Sequence, residues 1–429
     1  EIRLSLVGSE MCIRDSHTGF MEKERIRIMD INFHYYAVKT LAIHAGFDEE
    51  CAQIIARYSQ FVDDFTIYKT MVLDNVPTFA RHLAKPYKGK WLFTPVTTGF
   101  DSWFEMARLA LEQNQRNITI PFHFIPPHTK LNEVKTGDER TAWRVVPAKM
   151  DLGHLICGLL TDAKDKFIHA PQATENLMRI GILLHIFADT YAHQNFSGFW
   201  DWENYCELTG CRDENGQDIT SKYSPSIYHR FPAIGHTEAN HAPDDSNISF
   251  ELKMMVSSKD KYTYFYGRSN VSEFCVASYH IINYLSDCLG NERISSGEWE
   301  RLCETLGRGF KTSWKSTMLL NSHWGKLFPG INYRYEKEEM MNGMLSVRPV
   351  DGPLSAEMTG VVEQLSAQGI ELDPVLYATK SDDFFHYNVI ADEVRNFVNG
   401  KDVGREQRMA LCQALDTDMS EADTGGEHD

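Results

Sequence analysis

A mainly α-helical fold, one multi-helix domain carrying a long irregular insert, is what the 429-residue sequence predicts. Three observations predict it. Apolar residues recur at helical spacing through most of the chain, strand signals are few, and the stretch from about 200 to 253 is rich in Asp, Asn, Gly, Ser and Pro. Hydrophobic residues make up 42% and charged residues 24%, an ordinary globular balance that supports one large domain or two smaller ones. The domain is expected over 21–415, between a segment 1–20 and an acidic tail, 416–429, whose composition predicts disorder.

Residues 1–20 contain LVGSEMCIRDS, which resembles a translated sequencing adapter, so they are set apart as non-native and Met21 or Met29 is the expected start. They show no charged n-region followed by an apolar core. From Met29, Phe33, Ala37, Leu41 and Ala45 form one helical stripe, with Gly46 as the stop. Asp48 caps a second helix that ends at Asp63–Asp64. Residues 71–100 are expected to be loop-rich, and 101–117 a short helix. His123 falls in an apolar run expected to be extended, stopped by Pro126–Pro127, with His128 after the turn. A helix follows around DLGHLICGLLTDA, whose His154 has no ligand-type companion at helical spacing and is expected to be a packed residue. After the insert, helical periodicity returns in three segments from Ser272 to about Gly400.

The chemistry concentrates in Leu177–Phe199, LMRIGILLHIFADTYAHQNFSGF. His185, Asp189 and His193 are spaced i, i+4, i+8, which puts them on one helical face, one turn apart. Burying such groups among Ile, Leu and Phe without partners costs about 2–7 kcal/mol each. A carboxylate between two imidazoles suits a zinc-type cation and is able to bridge two of them. Three polar residues satisfied by hydrogen bonds on a helix edge are the alternative. The insert adds PAIGHTEANHAPDD, with His236, Glu238, His241, Asp244 and Asp245.

Charge and cysteine content narrow the function. A formal net charge of −17 argues against non-specific binding to duplex nucleic acid, which needs basic residues against phosphates. It leaves room for a phosphate ester held by cations in a cleft. Nine cysteines without a C-x-x-C pair predict reduced thiols in a cytoplasmic protein. No apolar run reaches the length of a transmembrane helix.

FHYYAVKTLAIHAGF, ADTYAHQNFSGF and PAIGHTEA resemble segments of an uncharacterised bacterial family of unknown function, over roughly residues 29–400. More distantly, YSQFVDDF, FHFIP and LLHIFADTYAH, in that order, resemble the motifs of the zinc-dependent phospholipase C and single-strand-specific zinc nuclease superfamily. That resemblance implies a phospholipase C-like helical fold and a metal-ligand set of Asp30, His34, Asp63, His123, His185, Asp189, His193, His236 and Glu238. Within it Asp30 stands in for a mature N-terminal amine, and Asp189 and Asp63 are the catalytic candidates. His193 lies four residues past Asp189, where the superfamily has six and a proline. Asn240 occupies the place of the superfamily's late acid, so Glu238 or His241 must serve.

The implied activity is hydrolysis of phosphate esters by water activated between two zinc-type ions, with a third ion at His193, His236 and Glu238. Phe196, Trp200, Trp202 and Tyr205 would stack a base, line a lipid-facing mouth, or simply cap the core. The rival expectation is a non-catalytic helical scaffold or binding protein with a structural metal, which would be closed to water.

Overall fold

The central stretch is a helix, Thr174–Ala192, and every residue from Ile180 to Ala192 within it is buried. A segment this apolar has no solvent face to offer, so other helices pack around it. They are Glu49–Asp64, Leu155–His169, Asn270–Leu289 and Asp383–Val398. The computed structural model describes residues 31–100, 109, 111–150, 153–223, 233–259, 264–312, 316–347 and 377–401. The expected non-native segment 1–20, the ligand candidate Asp30, the first half of the 101–117 helix and the tail 416–429 lie outside the described residues.

Local sequence accounts for the helices that frame the centre. The first begins as a π-helical stretch, Asn32–Ala37, which carries His34, and continues as Val38–Ala45. It stops at Gly46, whose φ of 111° suits a residue without a Cβ. Asp48 then caps Glu49–Asp64 by accepting a hydrogen bond from the Cys51 amide at 2.7 Å. This helix lies so close to the central one that a Cβ built at Gly181 would stand 2.3 Å from the Ile55 carbonyl oxygen. Gly181→Ala must therefore part the two helices. We expect a loss of about 1–3 kcal/mol, the usual cost of overpacking, read as a lower thermal midpoint. An unchanged midpoint would show that the close approach is not needed.

The mainly α expectation is corrected by the sheets. The described residues are 54% helix and 12% strand and form three small antiparallel sheets, a mixed α/β architecture. The supposed loops at 71–100 hold β1 (Met71–Leu73), β2 (Ala84–Tyr87) and β3 (Lys90–Phe93), ordered β1-β3-β2. The supposed irregular insert supplies β4 (Cys206–Arg212) and β5 (Ser249–Met254), which pair with each other and with β6 (Tyr264–Ser269). β7 (Leu345–Val347) and β8 (Tyr377–Thr379) make the third sheet. These strands are short, and β4 and β5 meet only across some forty intervening residues, a pairing that a local pattern does not report. Phe250, Leu252 and Met254 alternate inward along β5 and build a second small core with Phe124 and Phe196.

A further difference concerns His123. Its neighbourhood is helical rather than extended, running through Glu112–Asn114, the π-helical Gln115–Thr119 and Ile120–Phe122. Pro121 sits in the last turn of this run, two residues before His123. His123 is the residue at which that turn ends.

Candidate metal centre

Five elements deliver polar side chains to one buried place. The π-helical stretch brings His34, the end of Glu49–Asp64 brings Asp63, and the turn after Ile120–Phe122 brings His123. The central helix brings His185 and Asp189 and closes with His193 as its C-cap. The turn at 236–244 brings His236 and Asp244. His34, His185, Asp189 and His193 are all 0% exposed.

Asp189 is the hub. Its Oδ1 lies 3.2 Å from His34 Nε2, and its Oδ2 lies 3.0 Å from His123 Nδ1, 3.3 Å from His185 Nε2 and 3.7 Å from His193 Nδ1. Asp63 Oδ1 approaches His185 Nε2 at 3.6 Å and His123 Nδ1 at 3.9 Å. Beyond His193, Asp244 takes His193 Nε2 at 3.1 Å on one oxygen and His236 Nε2 at 3.4 Å on the other. Three ligand groups result: His34, His185 and Asp189; Asp63, His123 and His185; His193, His236 and Asp244.

Backbone carbonyls decide which imidazole nitrogen faces the centre. His123 Nε2 donates to the Thr98 carbonyl at 2.7 Å, His193 Nδ1 to the His123 carbonyl at 2.7 Å, and His236 Nδ1 to the Asn240 carbonyl at 2.7 Å. A carbonyl only accepts, so those nitrogens carry the protons. In the neutral ring the other nitrogen is then a lone pair. His123 Nδ1 thus faces Asp189, and the Nε2 atoms of His193 and His236 face Asp244, acceptor against acceptor. Such a confrontation is stable only with positive charge between the partners. Outer carbonyls of this kind are the usual orienting shell of metal-bound histidine.

The remaining atoms agree. His34 Nδ1 and Nε2, His185 Nδ1, Asp63 Oδ1, Asp189 Oδ1 and Asp244 Oδ2 are buried without a hydrogen-bond partner among the described residues. Leaving such groups bare is costly in a folded protein. No Lys or Arg among the described residues pairs with Asp63, Asp189 or Asp244. The residues fit divalent ions of the zinc class, whose preferred ligands are imidazole nitrogen and carboxylate oxygen.

Proton affinities carry the same strain. Burial pushes His185 down to about 3, with His34 stacked on it at 3.9 Å adding to the effect. Burial likewise takes His236 down to about 4 against the pull of Asp244. Burial would lower His193 too, but the Asp189 and Asp244 carboxylates outweigh it and raise its affinity. Burial, then the charge of Asp189, lifts Asp63 well above the carboxylate range. Burial also acts upward on Asp189 and Asp244, yet their histidines hold both below it.

Several expected residues meet here, and one goes elsewhere. Glu238 accepts from the Cys206 amide at 2.8 Å, at the start of β4, and Asp244 stands where Glu238 was expected. Asn240, at φ 53°, reverses the chain so that Asp244 returns beneath His236. The sequence held one usable signal. Asp63–Asp64 and Asp244–Asp245 are both Asp-Asp pairs, and in each the first residue faces the centre. The second accepts from a tyrosine hydroxyl: Tyr335 to Asp64 at 2.6 Å, and Tyr223 to Asp245. His154 caps Leu155–His169, its Nδ1 accepting from the Ile156 amide, and His128 bonds the Gly153 carbonyl. Of the aromatics after the central helix, Phe196, Phe199 and Trp202 are buried, while Trp200 and Tyr205 are exposed.

The swap is testable. Asp244→Ala should lose one equivalent of bound metal by mass spectrometry, whereas Glu238→Ala should keep wild-type stoichiometry. The reverse result would return Glu238 to the ligand set.

Among the described residues no helix is long and apolar enough to cross a membrane. Compared with known proteins, residues 29–399 match a family described as a family of unknown function, DUF6765. No curated protein and no solved structure gives a significant match.

Proposed function

The chain belongs to the family of unknown function DUF6765, and from its own residues we propose that it is a metal-dependent hydrolase of phosphate esters. One observation carries the reading: two ligand groups that share His185 and a third that adjoins them through the approach of His193 to Asp189, with buried lone pairs turned on each other. A polynuclear arrangement suits phosphoryl chemistry, where charge develops on attacking and leaving oxygens together. The motif order that resembles the zinc phospholipases and nucleases points the same way. Reduced thiols at all the described cysteines are in keeping with a cytoplasmic setting.

His34, Asp63, His123, His185 and Asp189 would hold one pair of ions, and His193, His236 and Asp244 a third. Bound zinc-type ions would polarise the phosphoryl oxygen and make water ionisable near neutral pH. Asp189, fully buried, orients four imidazoles and balances charge. Asp63 keeps 9% of its side chain exposed and would accept the proton of the attacking water. Thr98, His123 and Asn240 hold the imidazoles in their working tautomers through their carbonyls.

The test is metal content followed by turnover. We expect about two to three equivalents of a divalent ion and hydrolysis of bis(p-nitrophenyl) phosphate that stops on chelation. Absence of stoichiometric metal would refute the reading. The second reading is a structural metal cluster, favoured by the complete burial of His34, His185, Asp189 and His193. Metal-replete protein inert toward phosphate mono- and diesters would support that one.

A further inference from the structure

The segment 94–100 has two sides. Toward the interior, the Thr98 carbonyl orients His123, and Gly99 lies so near Asp63 that a Cβ would stand 2.0 Å from the Asp63 carbonyl oxygen. Thr98 Oγ1 is tied to the Val62 carbonyl and to the Tyr387 hydroxyl, at 2.7 Å each, which keeps the segment in place. Toward the exterior, Thr94, Pro95, Thr97, Gly99 and Phe100 line a cleft of about 200 Å³. Phe100 joins the two sides, since its ring centroid is 5.8 Å from that of His123.

The far wall of the cleft is polar as well. Tyr68, Asn114, Asn117 and Arg395 line it together with the apolar Leu109 and Ile118. Arg395 comes from the Asp383–Val398 helix, where a bond to Asp392 sets the direction of its guanidinium. Thr97 Oγ1 donates to the Ile67 carbonyl at 2.5 Å and keeps lone pairs for an incoming hydroxyl. Hydroxyls, carboxamides and one guanidinium converge on a space sized for one small ring. A guanidinium is the side chain best shaped for a phosphate oxygen pair, and carboxamides both donate to and accept from hydroxyls.

We propose that this cleft binds a polyol or sugar phosphate, with Arg395 on its phosphate and Thr94, Thr97, Asn114 and Asn117 on its hydroxyls. The site adjoins the metal centre across Gly99 and Phe100, and it rests on the hydrolase reading only for the claim that its ligand is the substrate. The proposal therefore names the substrate class as a phosphorylated polyol.

Isothermal titration on the full chain, once stripped of metal by chelator and once loaded with zinc, separates this site from the metal centre. The probes are myo-inositol 1-phosphate, myo-inositol and phosphocholine. We expect the inositol phosphate to bind the stripped protein at least tenfold more tightly than either of the others. Arg395→Gln should reduce the inositol phosphate to the level of inositol, and Asn117→Ala should weaken it severalfold. Arg395 and Asn117 are both half-buried at the cleft, and thermal melting checks that the variants fold. Equal binding of all three probes, or binding indifferent to both substitutions, would overturn the proposal. Short-chain phosphatidylinositol in a parallel titration identifies the source. Lipid binding as tight as that of the free ester marks a headgroup site, and binding of the free ester alone marks a soluble ligand. Failure of the hydrolase reading would show separately, as zinc loading without turnover, while the effect of Arg395→Gln on binding persisted.

Discussion

Asp189→Ala is expected to release the bound metal almost completely, with a loss of affinity beyond 100-fold. Substituting orienting groups around a metal site already costs about 10–100-fold, and Asp189 touches the centre directly through both oxygens. Four imidazoles, those of His34, His123, His185 and His193, lie within 3.7 Å of its carboxylate, so one substitution removes a charge that faces at least one histidine of each ligand group. Stability should fall as well. Removing one partner from a buried charged set typically costs about 3–5 kcal/mol. Asp189→Asn separates the two effects, because it keeps the shape and hydrogen-bonding reach but not the charge. Metal analysis of both variants beside wild type, with urea unfolding, is the measurement. Retention of metal by Asp189→Asn would mean that the carboxylate acts only as a hydrogen-bond acceptor.

Chelation should lower the stability of the wild-type protein by a comparable amount. Each ion bound to the folded state alone contributes RT ln(1 + [L]/Kd), about 4 kcal/mol when free metal exceeds Kd a thousandfold. Loss of the ions also leaves lone pairs opposed at His123–Asp189 and at His193–Asp244, both fully buried. Excess EDTA should therefore shift the urea midpoint sharply downward, and added zinc should restore it. Acid should act in the same direction, because protons compete with metal for imidazole and carboxylate. Superimposable unfolding curves with and without chelator would show that the polar cluster supports itself.

Most of the centre was legible from the chain. Local geometry explains why: a helix rises 1.5 Å per residue and turns 100°, so His185 and Asp189 had to share a face once the segment was helical. Gly46 and Asp48 marked helix ends through φ and capping chemistry, which need no distant partner. His193 was legible only in part, because the helix ends at Ala192 and His193 completes the site as its cap.

The remainder depended on contacts distant in sequence. β5 meets β4 and β6 through pairings that bridge the insert, and strands of six or seven residues hold only with such partners. Composition at 200–253 therefore suggested irregular chain where a sheet exists. The cleft beside Phe100 likewise joins residues 94–100 to Asn117 and to Arg395, almost three hundred positions away.

The sequence by itself determined the helices around the centre and the face carrying His185 and Asp189, because these follow from short-range periodicity, and it supplied the candidacy of His34, Asp63, His123 and His236 through the motif order that resembles the zinc phospholipases and nucleases. Only the tertiary structure decided that Asp244 rather than Glu238 joins them, what holds Asp64 and Asp245 away from the centre, and which nitrogen each imidazole presents. Those choices turn on a chain reversal at Asn240, on tyrosine hydroxyls that draw off the second carboxylate of each pair, and on carbonyls supplied by neighbouring loops. Apart from the local reversal at Asn240, these are contacts between residues distant in sequence, set by packing.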